Sequence, residues 1–295
     1  MSPFLFILEV AMKRRLYFGF LPDLPDIRDF THETEEVSGL LYKVGYRESS
    51  RLPSSHTLSN FPPIEDQGNL GSCTAQAAAA LLEYYERKTL GRHIDVSRLF
   101  LYKVARNLLQ LQGDSGASIR AVMGALVMFG APPEKYWPYD IEKFDEEPPA
   151  FCYSFAENFK AIRYFRLDKN CDKEELLIRI KRFILKGIPS MFGFMVYQSA
   201  IEQAYEEGKI PFPSYKDRLL GGHAVVCQGY DDNMVITNLY DNNTTVGAFM
   251  IRNSWGTEWG ANGTGWLPYR YVTEGLAIDW WSLISSRWVD TGRFT

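Results

Sequence analysis

The chain has 295 residues, 46% of them hydrophobic and 15% aromatic, enough to bury a large core in one domain or two lobes. Its 32 basic and 36 acidic residues leave a net charge of −4, which gives no electrostatic case for nucleic acid or an anionic membrane as a partner. Four cysteines in a chain of this length do not form a disulfide framework, and no C-x-x-C or H-x-x-x-H pair points to a metal.

Residues 3–11 (PFLFILEVA) are mostly apolar, but Glu9 interrupts them and Lys13-Arg14-Arg15 follows, whereas a secretory signal carries its charges first. The expectation is no signal peptide, with Met12 an alternative start. No apolar run reaches the length of a membrane span. Residues 16–61 form a preface rich in Pro, Asp and Ser, read as extended chain with short strands and closed by Pro62-Pro63. A helix begins near Cys73 and runs through an Ala- and Leu-rich stretch to Tyr85. Ser97 caps a second helix, Arg98 to Leu109; a third covers Ser118 to Phe129 and stops at Gly130 and Pro132-Pro133.

The acidic, Pro-rich connection 137–150 marks a change of pattern. Beyond it, Tyr164 to Leu167 reads as a strand, Lys173 to Lys186 as an amphipathic helix, and Met191 to Val196, Ala224 to Tyr230 and Ala248 to Arg252 as short apolar strands. Asp231 to Gly247, polar and Asn-rich, reads as an enlarged hairpin. Helices first and strands second make an α+β layout.

Three segments carry chemistry. Gln67-Gly68-Asn69-Leu70-Gly71-Ser72-Cys73 precedes the first helix, Gly221-Gly222-His223 opens a strand, and Asn253-Ser254-Trp255-Gly256 follows another. A thiol at a helix N-terminus feels the positive end of the macrodipole, and a neighbouring imidazolium lowers its pKa further. An Asn can orient the imidazole, a Gln amide with the Cys N–H can donate to an oxyanion, and an indole can shield the Asn–His bond from water. Taken singly, Cys73 reads more readily as a small buried hydrophobe than as a nucleophile, and His223 as a structural histidine than as a catalyst.

Together the segments resemble the papain/cathepsin family of cysteine peptidases. Gly71-Ser72-Cys73, the block from Asn253 to Gly260, Asn262-Gly263, Gly265-Trp266, and Asp114-Ser115-Gly116-Ala117 followed by Trp137-Pro138-Tyr139 carry the likeness over roughly residues 62–272. The resemblance implies Cys73 as nucleophile, His223 as general base and acid, Asn253 as its orienting partner and Gln67 as the oxyanion donor. Gly116 is the implied partner for extended substrate, with Ser115, Gly222 and Trp255 completing the substrate-binding set. It implies no metal and no organic cofactor. The segment from Phe18 to Asp29 is similar to the stretch before the catalytic domain in prokaryotic members. Three features depart from the pattern: Leu70 and Asp114 stand where the family carries a disulfide, Thr74 replaces an aromatic residue, and Ala117 replaces a second glycine.

The expected fold is a papain-like two-lobed α+β structure. It comprises a preface (1–61), a helical lobe (about 62–150) and a β-barrel-like lobe (about 151–285), with the cleft between the lobes of a domain spanning 62–295. The expected activity is cysteine-type endopeptidase, with a peptide or protein as partner and self-inhibition by residues 16–61 left open. An acyl-transferring transpeptidase and a cleft-blocked binding module are the alternatives. The missing bridge favours a cytoplasmic setting over a secreted one. Cys227 reads as core, Cys152 and Cys171 as free or buried with a mutual bridge left open. His32, His56 and His93 read as surface residues, and Trp280, Trp281 and Trp288 as packing.

Overall fold

The computed structural model describes residues 17–48, 51–155 and 162–291. The apolar run 3–11, Met12 and the Lys13–Arg15 cluster lie outside the described residues.

The preface is not extended throughout. Glu35–Lys43 forms helix α1, in which Val37 and Leu41, four residues apart, present one buried stripe to the core. The Pro- and Asp-rich stretch before it hides so short a pattern. Strand β1 (Ser55–Thr57) then pairs antiparallel with a later strand, so the chain joins the sheet before Pro62.

Helix α2 (Cys73–Leu90) is buried on almost every face. That explains its alanines: small side chains let neighbouring elements close in around a central helix, and an apolar surface all round suits only the interior. Gly91, at φ 67°, ends it in the left-handed conformation. Helix α3 (Arg98–Leu108) is capped by Ser97, whose Oγ accepts the Phe100 N–H at 3.1 Å, and α4 (Ile119–Phe129) is capped in the same way by Ser118.

The second lobe contains β2 (Ile162–Arg166), α6 (Lys173–Leu185), β3 (Ser190–Tyr197), β4 (Leu219–Thr237), β5 (Thr244–Arg252), β6 (Thr264–Pro268) and β7 (Ala277–Ser285). Short helices α5 (Ala150–Phe155), α7 (Gln198–Gln203), α8 (Arg270–Thr273) and α9 (Ser286–Val289) fill the connections. The strands form one antiparallel sheet ordered β2-β7-β3-β4-β5-β6, with β1 on β4. The expected barrel is therefore corrected to an open sheet. A barrel requires its first and last strands to pair, and here both outer edges are taken by other chain. Arg166 of β2 donates its N–H to Phe30, and Trp266 of β6 exchanges backbone bonds with Gly208 and Ile210. The hairpin read at 231–247 is present: β4 and β5 stay paired out to Thr237 and Thr244 beyond a register shift.

Trp280, Trp281 and Trp288 are fully buried; Trp280 stacks on Phe192 at 3.9 Å between centroids. His32 contradicts its surface reading. It is 5% exposed, hydrogen-bonded to Glu48 at 3.2 Å and edge-on to Phe183 of α6. Its polar sequence neighbours say nothing about the helix they fold against. His56 is half-buried, in β1 opposite Tyr230, and His93 is exposed. Cys227 is core, and all four thiols are free, including Cys152 and Cys171.

Candidate active site

The three segments meet where α2 abuts the sheet. Cys73 is the first residue of α2, His223 lies in β4 opposite Phe194 of β3, and Asn253 follows the last residue of β5. Because β4 and β5 are hydrogen-bonded neighbours, two residues 30 apart in sequence become adjacent. His223 Nε2 lies 2.8 Å from Asn253 Oδ1, which also accepts the Ser254 N–H at 2.8 Å. An oxygen already acting as acceptor requires the proton on Nε2, so Nδ1, which has no hydrogen-bond partner, carries the lone pair. The Trp255 indole stacks on the imidazole at 4.5 Å and 26°, and Trp259 meets Trp255 edge-on. Asn253 and Trp255 are each 4% exposed, so water is kept from the Asn–His bond.

Nearby backbone N–H groups, those of Ala224, next to His223, and of Gly19 in the preface foremost, favour the Cys73 thiolate. Burial dominates its ionisation and pushes the thiol up to about 11, while burial holds His223 down to about 4. The expectation of a depressed thiol pKa is thus reversed in this form of the chain. The helix terminus and the backbone donors act in the expected direction, but the cost of burying a charge exceeds them.

The cover is the preface itself. Ala117 donates its N–H to Gly19 (2.8 Å) and accepts from Leu21 (3.1 Å), while Phe20 donates to the Gly222 carbonyl (3.1 Å). Phe20 is 4% exposed in a pocket walled by Gly193 and Gly222; a Cβ on Gly193 would fall 2.1 Å from the Phe20 ring. Phe18 meets His223 and Trp255 edge-on, each at 6.4 Å. Outside the cleft, Arg120 pairs with Asp23 and Asp29, each at 2.7 Å, and Lys169 Nζ caps the Asp26 carbonyl at 2.8 Å.

Gln67 faces the same groove. Its Nε2 donates to Leu70 O at 2.9 Å and to Tyr17 O at 3.1 Å, while its Oε1 accepts the Ser254 hydroxyl at 2.7 Å. Ser254 thereby fixes which end of the amide points inward, and a preface carbonyl lies against the donor end. Tyr139 donates to the Gln67 carbonyl at 3.0 Å and meets the Ser72 hydroxyl at 2.5 Å.

Gly222 and Trp255 both touch the preface. The preface pairs with Ala117, while Gly116, at φ 76°, sends its N–H to the Tyr102 hydroxyl at 3.0 Å and packs against the Gly19 carbonyl. Ser115 turns its hydroxyl onto the Gly116 carbonyl at 3.2 Å. Ser254, Tyr139 and Gly193 escaped the sequence reading. Ser254 sits inside a recognised segment, but nothing local signals its contact with Gln67, 187 residues away. Among the described residues no group of three or more His, Cys, Asp or Glu side chains is placed to hold a metal ion, and no helix is long and apolar enough to cross a membrane.

The profile of the "Papain family cysteine protease" family matches residues 53–274. An uncharacterised peptidase C1-like protein of Acanthamoeba polyphaga mimivirus is 34% identical over 277 residues, which cover 90% of this chain and 85% of that protein. Xylellain, a cysteine protease from Xylella fastidiosa, superposes with a TM-score of 0.74 at 33% identity, covering 92% of this chain and 97% of its own. Digestive procathepsin L 3 of Tenebrio molitor larval midgut shares the fold at a TM-score of 0.60 and 15% identity, with 96% and 89% covered. With its thiol, imidazole and carboxamide gathered at one groove, the chain belongs to the papain family of cysteine proteases, hydrolases acting on peptide bonds.

Proposed function

We propose that this chain is an endopeptidase working through a Cys73 thioester, produced in a form that residues 17–30 hold shut. The His223–Asn253 hydrogen bond, stacked under Trp255 beside the N-terminus of α2, carries the reading. With the groove open, His223 Nδ1 takes the thiol proton and the sulfur attacks the peptide carbonyl, forming the C–S bond. The oxyanion accepts hydrogen bonds from Gln67 Nε2 and the Cys73 N–H. Imidazolium then protonates the amine as the C–N bond breaks. Water, losing its proton to His223, attacks the thioester and releases the acid and the thiol. Extended substrate pairs with Ala117 and the Gly222 carbonyl, as the preface does, and places an apolar side chain in the Phe20 pocket.

Self-inhibition by the preface is supported by its seat. It covers the sulfur, fills the pocket and presents the Tyr17 carbonyl to the oxyanion donor. The four free thiols support work in a reducing, cytoplasmic setting.

Treatment with an epoxysuccinyl inhibitor, followed by intact mass and peptide mapping, tests the reading. Natural chain is expected to label slowly, and chain proteolysed within the preface rapidly, with the adduct on Cys73. No adduct in either form would refute the peptidase reading in favour of a permanently blocked binding module. Equal, rapid labelling of both would refute self-inhibition alone.

A further inference from the structure

Leu70 and Asp114 occupy the two positions where the resembled family has a disulfide, and the structure shows what joins these segments instead. The Asp114 carboxylate accepts the Gly71 N–H at 2.9 and 3.1 Å, two residues before the nucleophile. The Tyr102 hydroxyl donates to the same carboxylate at 2.5 Å and itself accepts the Gly116 N–H at 3.0 Å. One chain of hydrogen bonds, Gly71 to Asp114 to Tyr102 to Gly116, therefore runs from the nucleophile loop to the glycine segment. Charged acceptors make the shorter, stronger links in such chains.

The surroundings hold this connection in place. Tyr102 is fully buried, and the Arg106 guanidinium, also fully buried, lies 4.3 Å from its ring centroid. Arg106 also donates to the Gly113 carbonyl beside Asp114. Asp114 keeps one side to solvent, so it is the buried Tyr102 that fixes where the carboxylate sits. The close approach also sets the residue type at 71: a Cβ there would fall 2.9 Å from Asp114 Oδ1. None of these links contains sulfur, so none is lost in a reducing compartment.

We propose that Asp114, braced by Tyr102, is a positioning residue that holds the nucleophile loop against the glycine segment by hydrogen bonds in place of a covalent tie. The proposal rests on the peptidase reading given above. It makes the carboxylate responsible for the placement of the Cys73 N–H and sulfur relative to Gln67, and so for the chemical step more than for substrate binding.

The test uses the full-length chain with Gly19→Ala, which unplugs the groove, as parent. D114A, D114N and Y102F are made in it and assayed for kcat and KM on a quenched-fluorescence peptide, for the pH profile of Cys73 alkylation, and for Tm. D114A is expected to lower kcat roughly ten- to hundredfold with KM little changed, the effect of a small displacement of reacting groups. D114N, which keeps one acceptor oxygen, should fall between D114A and the parent, and Y102F should move in the same direction by less. A residue serving stability alone would lower Tm and leave kcat and the alkylation profile unmoved, which would overturn the proposal; so would a rise in KM at unchanged kcat. If D114A does not fold, Y102F decides: a kcat equal to that of the parent overturns the proposal. A parent that takes no label at Cys73 even after proteolysis within the preface would overturn the peptidase reading and this role with it. An active parent matched by D114A overturns this role alone.

Discussion

The full-length Gly19→Ala chain is expected to take an epoxysuccinyl label at Cys73, and to hydrolyse casein, faster than the natural chain without any cleavage of the preface. A Cβ on Gly19 would fall 1.7 Å from the Gly71 carbonyl oxygen and 2.7 Å from the Gly71 Cα. Those are backbone atoms of the nucleophile loop, tied at the Gly71 N–H to Asp114, so they have nowhere to yield. The preface must lift instead, and Phe20 leaves its pocket. Losing that burial forfeits about 1.5–3 kcal/mol, roughly a ten- to hundredfold shift toward the open groove. Labelling at the natural rate would show that the preface does not limit access to the thiol.

Opening should also depend on pH, on both sides of neutrality. The seated preface holds His223 at about 4 against an ordinary 6.5, so seating opposes its protonation. That contribution is whole above pH 6.5 and is lost progressively as pH falls toward 4. It holds Cys73 up at about 11, so seating also opposes ionisation of the thiol, and that contribution is lost as pH rises toward 11. Limited proteolysis of the preface across pH, in a Cys73→Ser chain that cannot cut itself, should slow as pH rises from about 4 to 6.5, and the alkaline limb should appear only in chain that keeps the thiol. A flat profile would remove these two groups from the control of opening.

Replacing His223 with Ala in the opened chain is expected to cost about three to six orders of magnitude in kcat, since it removes the group that takes and returns the proton in both halves of the reaction. Asn253→Ala should cost roughly ten- to a hundredfold, because the imidazole keeps its Trp255 stack but loses the 2.8 Å bond that sets its tautomer and rotation. The order of the two losses matters as much as their size. Steady-state kinetics with thermal unfolding of each variant would check it, and a His223→Ala chain keeping more than about a tenth of parental kcat would contradict the proton-transfer role.

Much of this protein is legible in the linear chain because it depends on short-range rules. The cap at Ser97, the alanine run of α2 and the stop of α4 at Gly130 are set by residues within a few positions of one another, so these helices follow from sequence alone. The resemblance of the segments holding Cys73, His223 and Asn253 to the papain/cathepsin family likewise identified the candidate site. Where a contact spans a long separation, the sequence is silent. His32 looks polar and exposed until α6 covers it, and the strands read as a barrel until Phe30 and Gly208 occupy the two edges that would have closed it.

The difference is sharpest at the nucleophile. The sequence by itself determined which thiol, imidazole and carboxamide this chain owns, in what order, and that a helix terminus would favour the thiolate. Only the tertiary structure decided the ionisation they have with the preface seated. The nearby Gly19, Phe18 and Phe20 come from more than 50 residues upstream, and they exclude water from both groups. Desolvation depends on everything that surrounds a group, whereas a motif records only what adjoins it along the chain. For the same reason the tie between Leu70-Gly71 and Asp114 read as a missing bridge in sequence. It became a hydrogen-bonded one only when Tyr102, on a different helix, was brought beside the carboxylate.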